Sequence, residues 1–204
     1  MTTIFLPRQK TIFIFITTVL LGCFMHSVSA QILEYDIIKG DKKVGSLRAE
    51  KRIVGDSMFY SIESETSIKM LLTFKVNYRL DELYVGGRLI SGAAESQLNG
   101  NSRTKSEIWI ENNEYIVEVN GYKESMGTDP ITYSVPEVYF SVPGDREETF
   151  SQQFAQYLTL KKDEKFVYTL YSEDGRNTHT YVNGICTFVK LNRTYASFYF
   201  RLKQ

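Results

Sequence analysis

From residue 32 to 125 the chain is cut at short intervals by pairs of residues that tolerate positive φ. These are Gly40-Asp41, Gly55-Asp56, Gly86-Gly87, Asn99-Gly100, Asn112-Asn113 and Asn120-Gly121. Tight hairpins demand such residues at their tips. The segments between them are rich in Tyr, Val, Ile, Phe and Thr, the residues that fit a pleated, half-buried surface. The spacing predicts strands near 32–38, 43–53, 57–67, 71–84, 88–98, 104–111 and 114–119. Further strands are predicted near 165–172, 177–183, 185–191 and 195–203, turning at Asp174-Gly175, Asn183-Gly184 and Asn192-Arg193. No internal repeat interrupts this order.

Alternation shows which strands have one wet face. Tyr115, Val117 and Val119 share a side opposite Glu114 and Glu118, and Phe198, Phe200 and Leu202 lie opposite Tyr199 and Arg201. Strands that bury one side and wet the other belong to an antiparallel sheet. Consecutive hairpins give it an up-and-down order. The fold class expected is mainly β: a single antiparallel, strongly curved sheet, or an open or closed up-and-down barrel.

The pattern breaks between about 126 and 160, where Pro130, Pro136 and Pro143 fall. Ser134 followed by Glu137 reads as a helix start with reciprocal capping, ended by Pro143. Phe150, Phe154 and Leu158 recur every four residues, which predicts a second helical turn or two within 147–157. A short helical insert near 134–158 is therefore expected to cover an end or an open face of the sheet.

Residues 1–30 carry a different signal. Arg8 and Lys10 precede an uncharged run from Thr11 to Gly22, and Val28 and Ala30 supply small residues before a cut at Ala30/Gln31. These are the three parts of a secretory signal peptide. The run is short of the about twenty apolar residues of a spanning helix unless His26, Ser27 and Ser29 are counted. A rival reading is Leu20-Leu21-Gly22-Cys23, which resembles a lipobox and would make Cys23 an acylated first residue. Bulky Phe24 and the later conventional site favour Gln31. The domain division expected is a signal peptide over 1–30 and one β domain over 31–204, periplasmic or secreted, membrane-tethered only if Cys23 is lipidated.

Cleavage would leave 174 of the 204 residues, enough for one substantial core. Losing Arg8 and Lys10 leaves 22 basic against 24 acidic residues, a net charge of −2. That balance gives no footprint for nucleic acid. Only Cys186 would remain, so no intramolecular disulfide holds the fold.

Chemistry-bearing patterns are sparse. A single histidine, His179, and a single cysteine beyond residue 30 exclude the usual zinc sets. Phosphate loops, nucleophile elbows and H-E-x-x-H are absent, and no cofactor is implied. If Asn183-Gly184 is a hairpin tip, His179 lies one diagonal step from Cys186, roughly 7–8 Å between backbones. A nucleophile pair is then geometrically open, but a buried packing role for the cysteine is the stronger reading. Glu63 with Glu65, and Asp81-Glu82, offer paired carboxylates, but two-residue spacing on a strand meets that requirement trivially and a solvated strand face is the better reading. All 14 tyrosines lie beyond residue 30, with one tryptophan, Trp109, on the face of Lys105, Glu107 and Glu111. Trp109 is open to stacking on a ligand or to covering a second layer.

Certain stretches resemble a known family. Tyr35-Asp-Ile-Ile-Lys-Gly-Asp-Lys-Lys-Val-Gly45 resembles the start of exported bacterial β proteins of unknown function, and Val135-Pro-Glu-Val-Tyr-Phe140, Glu148-Thr-Phe-Ser-Gln152 and Asp174-Gly-Arg-Asn-Thr-His-Thr-Tyr-Val-Asn-Gly184 are similar to DUF6134 proteins. That family is found mainly in Bacteroidota and is reminiscent of DUF3108. The resemblance implies an exported β domain with no assigned activity and no functional residues to carry over. Where the family has an acidic residue after Phe-Ser, this chain has Gln152. The function expected is non-catalytic binding of an apolar or amphiphilic, lipid-like ligand, or of an envelope protein, by the curved sheet. The alternatives are an enzyme acting on glycans or peptidoglycan through carboxylates, and a structural or adhesion module.

Overall fold

The computed structural model describes residues 28–69, 73–193 and 196–204. Most of the expected signal segment, including Cys23, lies outside the described residues. Fourteen strands form one sheet. They are β1 (Val28–Lys39), β2 (Lys42–Val54), β3 (Ser57–Lys69), β4 (Thr73–Val85), β5 (Arg88–Leu98), β6 (Asn101–Glu111), β7 (Glu114–Val119) and β8 (Tyr122–Gly127), followed after the insert by β9 (Glu148–Ser151), β10 (Gln156–Glu164), β11 (Val167–Ser172), β12 (Gly175–Val182), β13 (Ile185–Arg193) and β14 (Ala196–Leu202).

The order across the sheet is β8-β7-β6-β5-β4-β3-β2-β1-β14-β13-β12-β11-β10-β9. Each strand pairs antiparallel with its sequence neighbour, except that β8 and β9 lie at opposite edges. The β1 and β14 strands meet in the middle, with Tyr35 opposite Leu202 and Ile37 opposite Phe200. The sheet is open, and it coils so that its inner face makes its own core. Leu33, Tyr35 and Ile37 of β1, Leu47 and Ala49 of β2, and Tyr60 and Ile62 of β3 all point inward and are buried.

Strong coiling needs places where backbones come close. At Gly45 the register of β1 against β2 shifts. A side chain there would collide with the Glu65 carbonyl of β3, so only glycine fits.

The insert differs from the expectation. A 3-10 helix spans Val135–Tyr139 with Ser134 at its N-cap, but no capping bond is made by the Ser134 side chain. The helix ends four residues before Pro143. The second helix predicted over 147–157 is absent: β9 and the start of β10 occupy that stretch, pairing Tyr157 with Phe150 and Leu158 with Thr149. The spacing of Phe150, Phe154 and Leu158 arises because Phe150 and Leu158 are both buried on adjacent strands joined by a tight turn, with Ala155 at φ +50°; Phe150 shares a face with Tyr157, and Leu158 the opposite face with Thr149. Three observed strands, β8, β9 and β10, have no counterpart among those predicted. Polar, exposed β8 gives no alternation signal, and Lys161–Glu164 of β10 is charged and exposed throughout, with no apolar face to mark a strand. Asn192 and Arg193, predicted as a turn, are still paired with Ser197 and Ala196.

The insert runs inside the coil rather than capping it. Ile131, Val138, Tyr139 and Phe140 are buried. The Leu89 N–H donates to the Ile131 carbonyl at 2.9 Å, and the Phe150 N–H to the Tyr133 carbonyl at 3.1 Å. The insert thus bonds to β5 on one side and to edge strand β9 on the other. Tyrosines from the sheet complete the attachment. The Tyr181 hydroxyl donates to the Val138 carbonyl at 2.7 Å, and Tyr139 sits edge-on to Tyr35 with ring centres 5.6 Å apart. The use of tyrosine follows: a wide lumen needs large rings, and hydroxyls such as those of Tyr181 and Tyr115 reach backbone groups of the largely irregular insert.

Candidate functional site

Alternation on β4 separates Asp81 from Glu82. Asp81 faces out and accepts a bond from Arg79 Nε at 2.8 Å, whereas Glu82 faces in and is 3% exposed. The adjacent pair therefore shares no site. Glu63 and Glu65 lie together on the exposed outer face, with Glu63 3.8 Å from Arg79. That is a solvated ion-pair network of the ordinary kind.

Inside, Ser134 donates to Glu82 Oε2 at 2.5 Å across 52 residues of sequence. Glu82 Oε1 and the hydroxyls of Tyr60 and Tyr84 have no hydrogen-bond partner among the described residues. Burial pushes the Glu82 carboxyl up to about 8, with the Ser134 bond opposing the shift and the Glu137 charge adding to it. Gly92 opposite leaves room for the Gln152 side chain, whose Oε1 would lie 2.6 Å from a Cβ at that position. Ser106 donates to the Gln152 carbonyl at 2.5 Å. Glu82, Ser134, Ser106 and Gln152 thus tie β4, β6, the insert and the β9–β10 turn together. The sequence did not single out Ser134 and Glu82 as partners.

His179 and Cys186 are both buried on the inner face. The bulge between Thr180 and Tyr181 sets His179 opposite Val189 and Tyr181 opposite Cys186. The thiol donates to the Phe188 carbonyl at 3.6 Å, and the imidazole lies edge-on to Tyr139 at 6.0 Å. Burial pushes the thiol up to about 12 and the imidazole down to about 4. Both shifts oppose a thiolate–imidazolium pair.

Trp109 faces outward and is half-buried, with Lys123 Nζ 4.7 Å from its ring centre. It lines a shallow outer groove of about 640 Å³ with Arg52, Phe59, Asp81 and Glu107. Arg52 stacks on Phe59 at 4.2 Å, and Lys105 pairs with Glu107 at 2.7 Å. The basic groups here are already engaged. Among the described residues no cluster of three His, Cys, Asp or Glu side chains comes together.

The coil interior is only partly filled by the insert. Beyond Val135 and Tyr139, which form a floor, a half-open bowl of about 430 Å³ remains. Its wall includes Ile62, Val76, Leu191, Phe198 and Phe200, with Asp174, Asn177 and Arg193 along one side. The volume lies in the roughly 300–1,000 Å³ range of small-molecule sites. Arg193 Nη1 donates to Asn177 Oδ1 at 2.7 Å and more weakly to its neighbour's carbonyl at 3.4 Å. Burial lowers its affinity for its proton, and the Asp174 charge opposes that.

An open, barrel-like antiparallel sheet, coiled round its own insert and keeping an apolar bowl, is the class of protein this geometry defines. The chain belongs to the DUF6134 family, a domain of unknown function, which matches residues 35–203. In fold it is similar to a beta-barrel-like protein of domain of unknown function DUF1849 from Brucella abortus. The two are 9% identical with a TM-score of 0.53, over 88% of this chain and 97% of that one. At that identity the likeness concerns the fold alone. Among curated proteins, none matches the chain in sequence.

Proposed function

We propose that this is an exported envelope protein whose coiled sheet holds an apolar or amphiphilic ligand in the bowl above Tyr139. The observation that carries the reading is the bowl itself: an aliphatic and aromatic wall facing a space that the insert leaves free. Burying a ligand's apolar surface there is favourable at about 25 cal/mol per Å².

N-phenyl-1-naphthylamine, a neutral probe that fluoresces in apolar surroundings, tests the bowl. Saturable enhancement is expected, and Leu191→Trp, which fills the space, is expected to weaken it about tenfold, or 1.4 kcal/mol. No saturable binding, or equal binding by the filled variant, would sink the proposal.

Export rests on the basic start, apolar middle and small residues of 1–30. Intact mass of protein recovered from its native envelope should correspond to a chain starting at Gln31. A mass for a diacylated or triacylated Cys23 would replace the free protein by a tethered one, and the full-length mass would refute cleavage. In the structure Val28–Ala30 are exposed and extend β1 beyond Gln31, so cleavage removes only the start of that strand.

A further inference from the structure

The proposed bowl is not uniformly apolar, and its charge is placed at one side. Arg193 ends β13 and Asn177 lies on β12 beside it, held by the 2.7 Å bond from Nη1 to Oδ1. That partner is neutral. Among the described residues no carboxylate lies within 4 Å of the guanidinium, although Asp174 lines the same bowl. Of the other arginines, Arg48 and Arg79 sit on carboxylates, at 2.6 and 2.8 Å, and Arg52, Arg88 and Arg146 lie over the rings of Phe59, Tyr115 and Tyr133. A half-buried guanidinium has five donors in a fixed fork and is matched by a planar oxyanion. Held against an apolar wall, it is partly desolvated, which strengthens its attraction for such a group.

We propose that the bowl takes a single-chain amphiphile with an anionic oxyacid head, the chain lying on Leu191, Phe198 and Ile62 and the head meeting Arg193 beside Asn177. This rests on the reading of the bowl as a ligand site and adds the chemistry of the ligand. Asp174 works against the head, so its charge sets how tightly the anion is held.

The test uses two probes on the full chain: cis-parinaric acid, a fluorescent carboxylate with an apolar tail, and neutral N-phenyl-1-naphthylamine. Arg193→Gln is expected to weaken parinaric acid about tenfold or more, the loss of a charge-assisted bond, while leaving the neutral probe unchanged. Asp174→Asn is expected to tighten parinaric acid and not the neutral probe. Displacement by oleate and by lysophosphatidate then tells a carboxylate head from a phosphate head. Unchanged parinaric acid affinity in Arg193→Gln, with the neutral probe still bound, overturns the head-group assignment and leaves the bowl standing. Failure of the wild-type protein to bind either probe overturns the bowl as well.

Discussion

Replacing Phe150 by alanine is expected to cost about 3–5 kcal/mol of unfolding free energy, a large share of what a domain of this size has. Phe150 is fully buried in β9, a four-residue edge strand with few bonds of its own. Its ring meets Tyr157 at 5.7 Å in an edge-to-face arrangement, and its N–H holds the insert through Tyr133. Ser134 bridges to it in parallel register. The side chain therefore locks edge strand, insert and β10 at one point, and its loss leaves a cavity whose walls are held by separate elements and collapse poorly. Urea titration reads the effect as a lower midpoint. A cost below about 1 kcal/mol would mean that the insert is not packed into the coil as described. Phe150→Leu, which retains most of the volume, is expected to lose far less.

The same residue shows where the sequence was readable and where it was not. Strand, turn and alternation over 32–119 followed from local chemistry, because every hairpin connection there except that between β3 and β4 carries its own Gly or Asn, and the strands their own wet face. Asn99, Asn112, Asn120 and Asn183 do adopt positive φ. The spacing of Phe150, Phe154 and Leu158 predicts a helix because period alone cannot tell one helix face from two buried positions on opposite faces of a hairpin. Edge strand β8, with Tyr122 84% exposed, has no buried face to leave a pattern. The Glu82–Ser134 pair was beyond local reading, since it depends on an insert entering the lumen 52 residues later. The Asp81-Glu82 separation, by contrast, was implicit in the two-residue period of a strand. The bowl was illegible for the same reason as the pair: its floor belongs to the insert and its wall to strands from both halves of the chain.

Stability is expected to be flat from about pH 4.5 to 6.5 as far as Glu82 and His179 govern it, and to fall on either side. His179, held down to about 4 by burial, stays neutral in the native state. The unfolded chain takes up a proton below about 6.5, so acid favours unfolding as pH drops from there through about 4. Glu82 does the reverse: the native state keeps its proton up to about 8, while the unfolded chain releases it near 4.5. Rising pH therefore favours unfolding across that window. Between 4.5 and 6.5 the two slopes cancel, each worth about 1.4 kcal/mol per pH unit. Above 6.5 only Glu82 of the two remains, and about 2 kcal/mol is lost by pH 8. Glu137 is raised in the same direction by burial, with Lys51 and Arg146 opposing, and sets the residual slope. Glu82→Gln keeps an acceptor for the Ser134 hydroxyl and carries no proton to release. It is expected to be more stable than the wild type at pH 8 and to show a flatter profile from 6.5 upward, read as Tm against pH. A variant with the wild-type slope would show that Glu82 is ionised in the folded protein. The physical consequence is specific: with the carboxyl pushed up to about 8 by burial, Ser134 bonds a neutral acid at neutral pH, and alkaline solution destabilises the fold through the cost of a buried charge, which the Ser134 bond only partly offsets.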